Sequence, residues 1–152
     1  MKKFWSTLGQ LTFWLSWPAL WFYLHGSQRT RVLVVYEGKL LVTKQWLSDG
    51  RWSLPGGGRH RNEASLAGAR RELREETGIA VEEAGLNIVS TELFSSHGLS
   101  FTYDLFLLKL NEKPMINRQA IEISEIRWAD PSELSLQNSG SDVMVALQHW
   151  PR

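Results

Sequence analysis

Gly57-Gly58-Arg59-His60-Arg61-Asn62-Glu63-Ala64-Ser65-Leu66-Ala67-Gly68-Ala69-Arg70-Arg71-Glu72-Leu73-Arg74-Glu75-Glu76-Thr77-Gly78-Ile79 is the stretch that decides the fold. Asn62 is a good N-cap, Glu63 puts a negative charge in the first turn, and Gly78 suits a left-handed helix end. One helix of about four turns is predicted between them. Leu66, Ala69 and Leu73 fall on one stripe that can dock on a sheet. Glu72, Glu75 and Glu76 are spaced i, i+3, i+4, so their carboxylates project from the same side and repel one another. A hard cation would relieve that repulsion, since carboxylate oxygens are what Mg²⁺ or Mn²⁺ prefers. Gly68 falls among these carboxylates, where a missing side chain is expected to leave room for a ligand. The alternative is a solvated helix in which Arg70, Arg71 and Arg74 pair the acids.

The full pattern separates the two readings. Gly57, Glu63, Arg71, Glu72, Leu73, Glu75, Glu76, Gly78 and Ile79 meet every specified position of G-x5-E-x7-R-E-U-x-E-E-x-G-U, where U is aliphatic. The stretch thus resembles the Nudix box, and Leu54-Pro55-Gly56-Gly57 resembles its usual approach. The resemblance implies an α/β/α sandwich with a mixed β-sheet. It also implies hydrolysis of nucleoside diphosphates linked to another group, with a divalent metal (Mg²⁺ or Mn²⁺) as cofactor. By the family pattern Glu72, Glu75 and Glu76 are the metal ligands. Arg71 holds a neighbouring carboxylate and Glu63 supports the site from its edge, unless both are surface ion-pair residues. A later loop glutamate often supplies the general base; Glu122 stands where it would be expected. Glu125 is the second choice, and Glu72 or Glu75 are alternatives. Gly57 and Gly78 support the site by shape.

The rest of the chain is consistent with one domain. At 152 residues a proper core is possible. The formal charge is +1 and no basic run exceeds two residues, so no nucleic-acid partner is expected. There is no cysteine, which excludes disulfides and thiolate metal sites. After a polar linker at Gly26 to Thr30, Val32 to Tyr36 reads as a buried strand and Leu40 to Trp46 as a second. Trp52 to Leu54 reads as a short strand, Leu86 to Phe94 and Leu99 to Leu110 as longer ones, and Glu125 to Trp128 as the last. Asp130-Pro131 opens a brief helix, and Ser141 to Trp150 is a final amphipathic one. Gly56 and Gly58 let backbone approach a ligand. Trp52 and His97 are weak substrate-contact candidates, His60 weaker still. Trp46, Phe101 and Tyr103 are aromatic enough to stack on a base, although core packing is the better reading for most of them.

Substrate identity is not legible. Phe94 stands where ADP-ribose hydrolases of the family tend to have proline, and Ser96 and His97 where dinucleoside polyphosphate hydrolases tend to have tyrosine. A small nucleotide-type pyrophosphate is expected by default. Competing readings are a nucleotide-sensing module without turnover and a hydrolase of a lipid-linked pyrophosphate. A homodimer is compatible with all three.

Residues 1–28 form a separate hydrophobic segment and linker ahead of a domain at 29–152. Phe4 to Leu24 has no charged residue over 21 positions, long enough for an N-terminal membrane helix. Trp5, Trp21 and Tyr23 stand near its ends as interfacial anchors. Ser6, Thr7, Gly9, Gln10, Thr12 and Ser16 dilute it and Pro18 interrupts it. Lying on the membrane, or packing on protein, therefore stay open beside spanning. The expected location is cytoplasmic and membrane-associated. The full chain is predicted to sediment with membranes, and a chain beginning at Gly26 to stay soluble and fold. Full-length protein in the soluble fraction after gentle lysis, read by immunoblot, overturns the membrane reading.

Overall fold

The computed structural model describes residues 25–96, 99–117 and 121–151. Phe4 to Leu24 and His97 lie outside them. Five strands form one mixed sheet: β1 (Gln28–Tyr36), β2 (Lys39–Gln45), β3 (Asn87–Ser96), β4 (Leu99–Lys109) and β5 (Ile123–Ala129). Their order across the sheet is β3-β4-β1-β2-β5; β1 and β4 run parallel, and the other neighbours antiparallel. Two helices, α1 (Ser65–Thr77) and α2 (Ser141–Gln148), cover opposite faces. This is the expected sandwich.

Strand β1 shows why. Val32 and Val34 enter a core with Leu41, Phe106, Ala69 and Leu73 on the α1 side. Leu33 and Val35 enter one with Leu40, Val42, Leu105, Val143 and Ala146 on the α2 side. Side chains alternate along a strand, so an unbroken apolar run is what burial on both faces requires. Charged residues appear on β1 only toward its start, and Gln28 to Thr30 belong to the strand, not to a linker.

β2 pairs with β1 only at Val35↔Leu40 and Tyr36↔Lys39. Farther back along β1, the segment after Leu54 takes its place. Val32 N–H donates to the Pro55 carbonyl at 2.9 Å, Thr30 N–H to that of Gly57 at 2.9 Å, and Arg59 N–H to that of Gln28 at 3.0 Å. Trp52 and Ser53 make only isolated bridges, to Ser139 and Thr43, so the short strand expected there is reduced to two contacts. Pro55 cannot donate to a ladder, which keeps the segment irregular.

The box helix starts later than its sequence suggests. Asn62 has φ +63°, left-handed rather than capping, and α1 opens after Ala64 without a side-chain cap. Glu63 therefore precedes the helix, and its carboxylate turns to Arg71 instead of the first-turn amides. The other end is as expected: Gly78 has φ +79° and donates to the Arg74 carbonyl at 2.9 Å. From β4 the chain crosses the end of α1, where Asn117 N–H donates to the Thr77 carbonyl at 2.8 Å.

Gly56 is the tightest of the described glycines. Its φ is +137°, and a Cβ there would sit 2.2 Å from the Thr30 carbonyl oxygen. Gly38 is also left-handed, at φ +72°, with nothing within 4 Å of such a Cβ. Gly56→Ala is expected to cost about 3 kcal/mol or more, because backbone must move, and Gly38→Ala about 1 kcal/mol. Urea unfolding of both variants checks the contrast; equal losses would mean that conformation alone, not contact, matters at Gly56.

Candidate active site

The site is assembled where the glycine turn meets the second half of α1. Glu76 points inward and is 2% exposed. Its Oε2 accepts from Gly56 N–H at 2.9 Å and its Oε1 from Gln45 Nε2 at 3.3 Å. Burial pushes this carboxyl up to about 7, against the lowering effect of the Gly56 amide; the charge of Glu72 adds to the rise. Glu72 lies against Gly57, where a Cβ would be 2.5 Å from its Oε2. Glycine at 57 is thus a matter of room for a carboxylate. Glu75, one turn from Glu72 on the outer side, is exposed.

Arg71 joins these groups. Its Nε and Nη2 form a two-pronged pair with Glu63 at 2.8 and 2.9 Å. Nη1 donates to Glu72 at 2.8 Å and to Glu75 at 3.1 Å, and Nη2 also to the Gly58 carbonyl at 2.9 Å. Planar donors in a fork are what such convergence demands. The pair with Arg71 holds the Glu63 carboxyl down at about 2, and raises the Arg71 guanidinium further above its ordinary value. Gly68 is not vacant: a Cβ there would be 3.1 Å from Glu63 Oε2 and 3.2 Å from Arg59 Cγ. The room expected for a ligand is filled by Glu63 and Arg59.

The three helix glutamates share a neighbourhood rather than a cage. Among the described residues, no three His, Cys, Asp or Glu side chains converge closely enough to hold a metal ion. Arg71 instead lies between Glu72 and Glu75.

The loop glutamates separate by register. Trp46 N–H donates to the Glu122 carbonyl at 3.0 Å, beside Gln45, whose side chain reaches Glu76. Glu125 pairs with Lys44 across β2 and β5. Paired residues share a face, and Ile126 and Trp128 pack on the α1 side, so Glu125 belongs to the α2 side, away from the box carboxylates. Trp52 is buried on that α2 side with Lys44 and Arg127 over its ring at 4.3 and 4.7 Å. Tyr103 is 3% exposed and Phe101 stacks on Phe94 at 4.6 Å, so these aromatics are packing residues. His60 is exposed, and its backbone N–H donates to Glu63 Oε2 at 2.8 Å.

Arg31, Gln45 and Asp142 also reach the site and were not anticipated. Asp142 Oδ2 accepts from Ser53 Oγ at 2.6 Å and from Leu54 N–H at 3.0 Å, and pairs with Arg31 Nε at 3.2 Å. The available signal was polarity out of phase. Arg31 alternates with Leu33 and Val35 toward a core, and Asp142 adjoins Val143 on the buried face of α2.

The NUDIX domain family model matches residues 26–147. A MutT-like protein of Streptomyces ambofaciens is 32% identical over 114 residues, 74% of this chain and 68% of that protein. The chain belongs to the Nudix family, and it is an enzyme of the family's pyrophosphohydrolase class. In fold it resembles a MutT NUDIX hydrolase from Burkholderia pseudomallei (TM-score 0.74, 20% identity, 84% of this chain and 99% of that one). It also resembles a bifunctional NMN adenylyltransferase/ADP ribose pyrophosphatase from Francisella tularensis, solved with AMP and a manganese ion (TM-score 0.68, 18% identity, 92% of this chain and 47% of that one). Divalent-metal use is general in the family. No helix among the described residues is long and apolar enough to cross a membrane.

The Glu63–Arg71 pair sets a pH dependence. A carboxyl lowered from 4.5 to about 2 stabilises the fold fully above pH ~4.5, and that contribution is lost as pH falls through about 2. Glu63→Gln is expected to lower stability by about 1–2 kcal/mol at pH 7, allowing for solvent screening, and by almost nothing at pH 2. Thermal unfolding across that range checks it; a loss that stays constant with pH rules out the ion pair as its source.

Proposed function

We propose that this protein hydrolyses a pyrophosphate bond in a small nucleoside diphosphate derivative, with a divalent metal held by Glu72, Glu75 and Glu76. The observation that carries the reading is the buried Glu76 carboxylate tied to the Gly56 amide, beside Glu72 under Gly57. The donor chemistry fits Mg²⁺ or Mn²⁺: hard carboxylate oxygens at i, i+3 and i+4 on one helix. When bound, such a metal neutralises pyrophosphate charge and lowers the pKa of a coordinated water. Arg71 provides positive charge to Glu72 and Glu75 and keeps Glu63 aligned at the edge. Gly56, Gly57 and Gly58 bring backbone close to the phosphates. Glu122 is the general base in this reading, favoured over Glu125 by its position beside Gln45 and Trp46.

A nucleotide or nucleotide sugar is the substrate class. The structural relative with AMP and manganese accords with this, and so do the hard-oxygen donors. The charged, polar surroundings of the box suit a phosphate chain better than a lipid tail. Phe4 to Leu24 remains the reason to include prenyl pyrophosphates among the substrates tried, since a membrane segment would bring the domain to them.

Phosphate and nucleotide release should be measured on a panel of nucleotides, nucleotide sugars and prenyl pyrophosphates, with and without chelator. Turnover should require Mg²⁺ or Mn²⁺. Glu76→Gln should lower it at least 10²-fold with the fold intact. Glu122→Gln should lower kcat with little change in metal affinity. Turnover of Glu76→Gln within threefold of the parent would sink the metal assignment. Loss of kcat in Glu125→Gln alone would move the base.

A further inference from the structure

Arg31 and Asp142 lie on the α2 side of the sheet, yet their contacts end at the glycine turn that touches the carboxylates on the α1 side. Asp142 is 7% exposed and held by Ser53 Oγ, Leu54 N–H and Arg31 Nε, all on one oxygen. Arg31 Nη1 in turn donates to the Gly56 carbonyl. The other end of the same residue, Gly56 N–H, donates to Glu76. Gly57, the next residue, sets the clearance for Glu72. Gly56 thus carries one hydrogen bond toward each face of the sheet.

We infer that the Arg31–Asp142 pair is a positioning unit for Glu76 and Glu72, acting through the Gly56-Gly57 peptides. The inference rests on reading those glutamates as metal ligands. Stability does not account for a buried ion pair here, because desolvation consumes most of its Coulomb gain, and aliphatic residues would pack as well beside Leu33, Val35 and Val143. What aliphatic residues would not supply is direction. The guanidinium fork fixes the Gly56 carbonyl and with it the Gly57 amide of the same peptide plane. The preceding plane, which carries the Gly56 amide, is held at its Pro55 carbonyl by Val32 N–H, so Arg31 completes the hold on Gly56 from its other side. Arg31 and Asp142 therefore do for the carboxylates what residues behind a metal ligand commonly do, and loss of such support typically costs about 10- to 100-fold in metal affinity.

The test uses the full chain carrying Asp142→Asn, Arg31→Lys or Val143→Ala, the last a core change near Asp142 that makes none of these polar contacts. Mn²⁺ binding is measured directly by the paramagnetic resonance of free Mn²⁺, with thermal unfolding, kcat and KM alongside. Asp142→Asn and Arg31→Lys should raise the Mn²⁺ Kd about 10-fold or more and lower kcat, with KM within about twofold. Val143→Ala should lower Tm and leave the Mn²⁺ Kd unchanged. If Asp142→Asn does not fold, Arg31→Lys, which keeps the charge but not the fork, decides alone. Mn²⁺ affinity within twofold of the parent in the folded variants overturns the inference. A parent protein without Mn²⁺ affinity overturns the metal reading itself, and a Glu76→Gln control with undiminished affinity does the same.

Discussion

A carboxylate taken out of water must find hydrogen-bond donors or give up its charge. Glu76 meets that condition with one backbone amide and one side-chain amide, and much of the architecture follows from supplying them. The amide belongs to a residue that must be glycine, because it turns against Thr30 with no space for a side chain. The side-chain donor, Gln45, ends β2 where its pairing shifts against β5. The sheet, the turn and the helix are thereby referred to a single acidic group. A site built this way is rigid on its inner side and open on its outer side, where Glu75 meets solvent.

Arg71 deals with the opposite problem, an excess of negative charge near the surface. Glu63, Glu72 and Glu75 share one guanidinium, and each would repel the others without it. The strongest of these contacts, to Glu63, is two-pronged and leaves Glu72 and Glu75 with one prong between them. The division fixes the guanidinium at Glu63 and leaves its hold on Glu72 and Glu75 the weaker one. Glu63 anchors Arg71, and Arg71 offsets the charge of Glu72 and Glu75.

Much of this was legible in the residues. The box pattern, the apolar stripe of α1, the doubly buried run in β1 and the helix-ending Gly78 are local signals, and each appears in the structure as the chemistry of its residues demands. The helix start was misread because Asn62 serves equally as an N-cap or as a left-handed turn residue. Only the pull of Arg71 on Glu63, eight positions on, decides between them. Gly68 looked like vacant space for a similar reason: Arg59 and Glu63 fill it by folding back over the helix. The Arg31–Asp142 pair spans more than a hundred positions, and nothing local names a partner at that distance. Charge at inward-facing positions was its only trace.

The parallel pairing of β1 with β4 bears on how the molecule is made. β1, β2, the glycine turn and α1 are consecutive, so the turn can dock on β1 and α1 can pack over it by closing short loops. The eight-position ladder from Gln28↔Thr102 to Val35↔Lys109 joins distant parts of the chain, and its closure costs correspondingly more entropy. β3 and β4 form a local hairpin, and α2, the last of these elements along the chain, covers Leu33 and Val42. Arg31 can meet Asp142 only once α2 has packed. A chain interrupted before α2 would carry every glutamate of the box and still lack the clamp behind them.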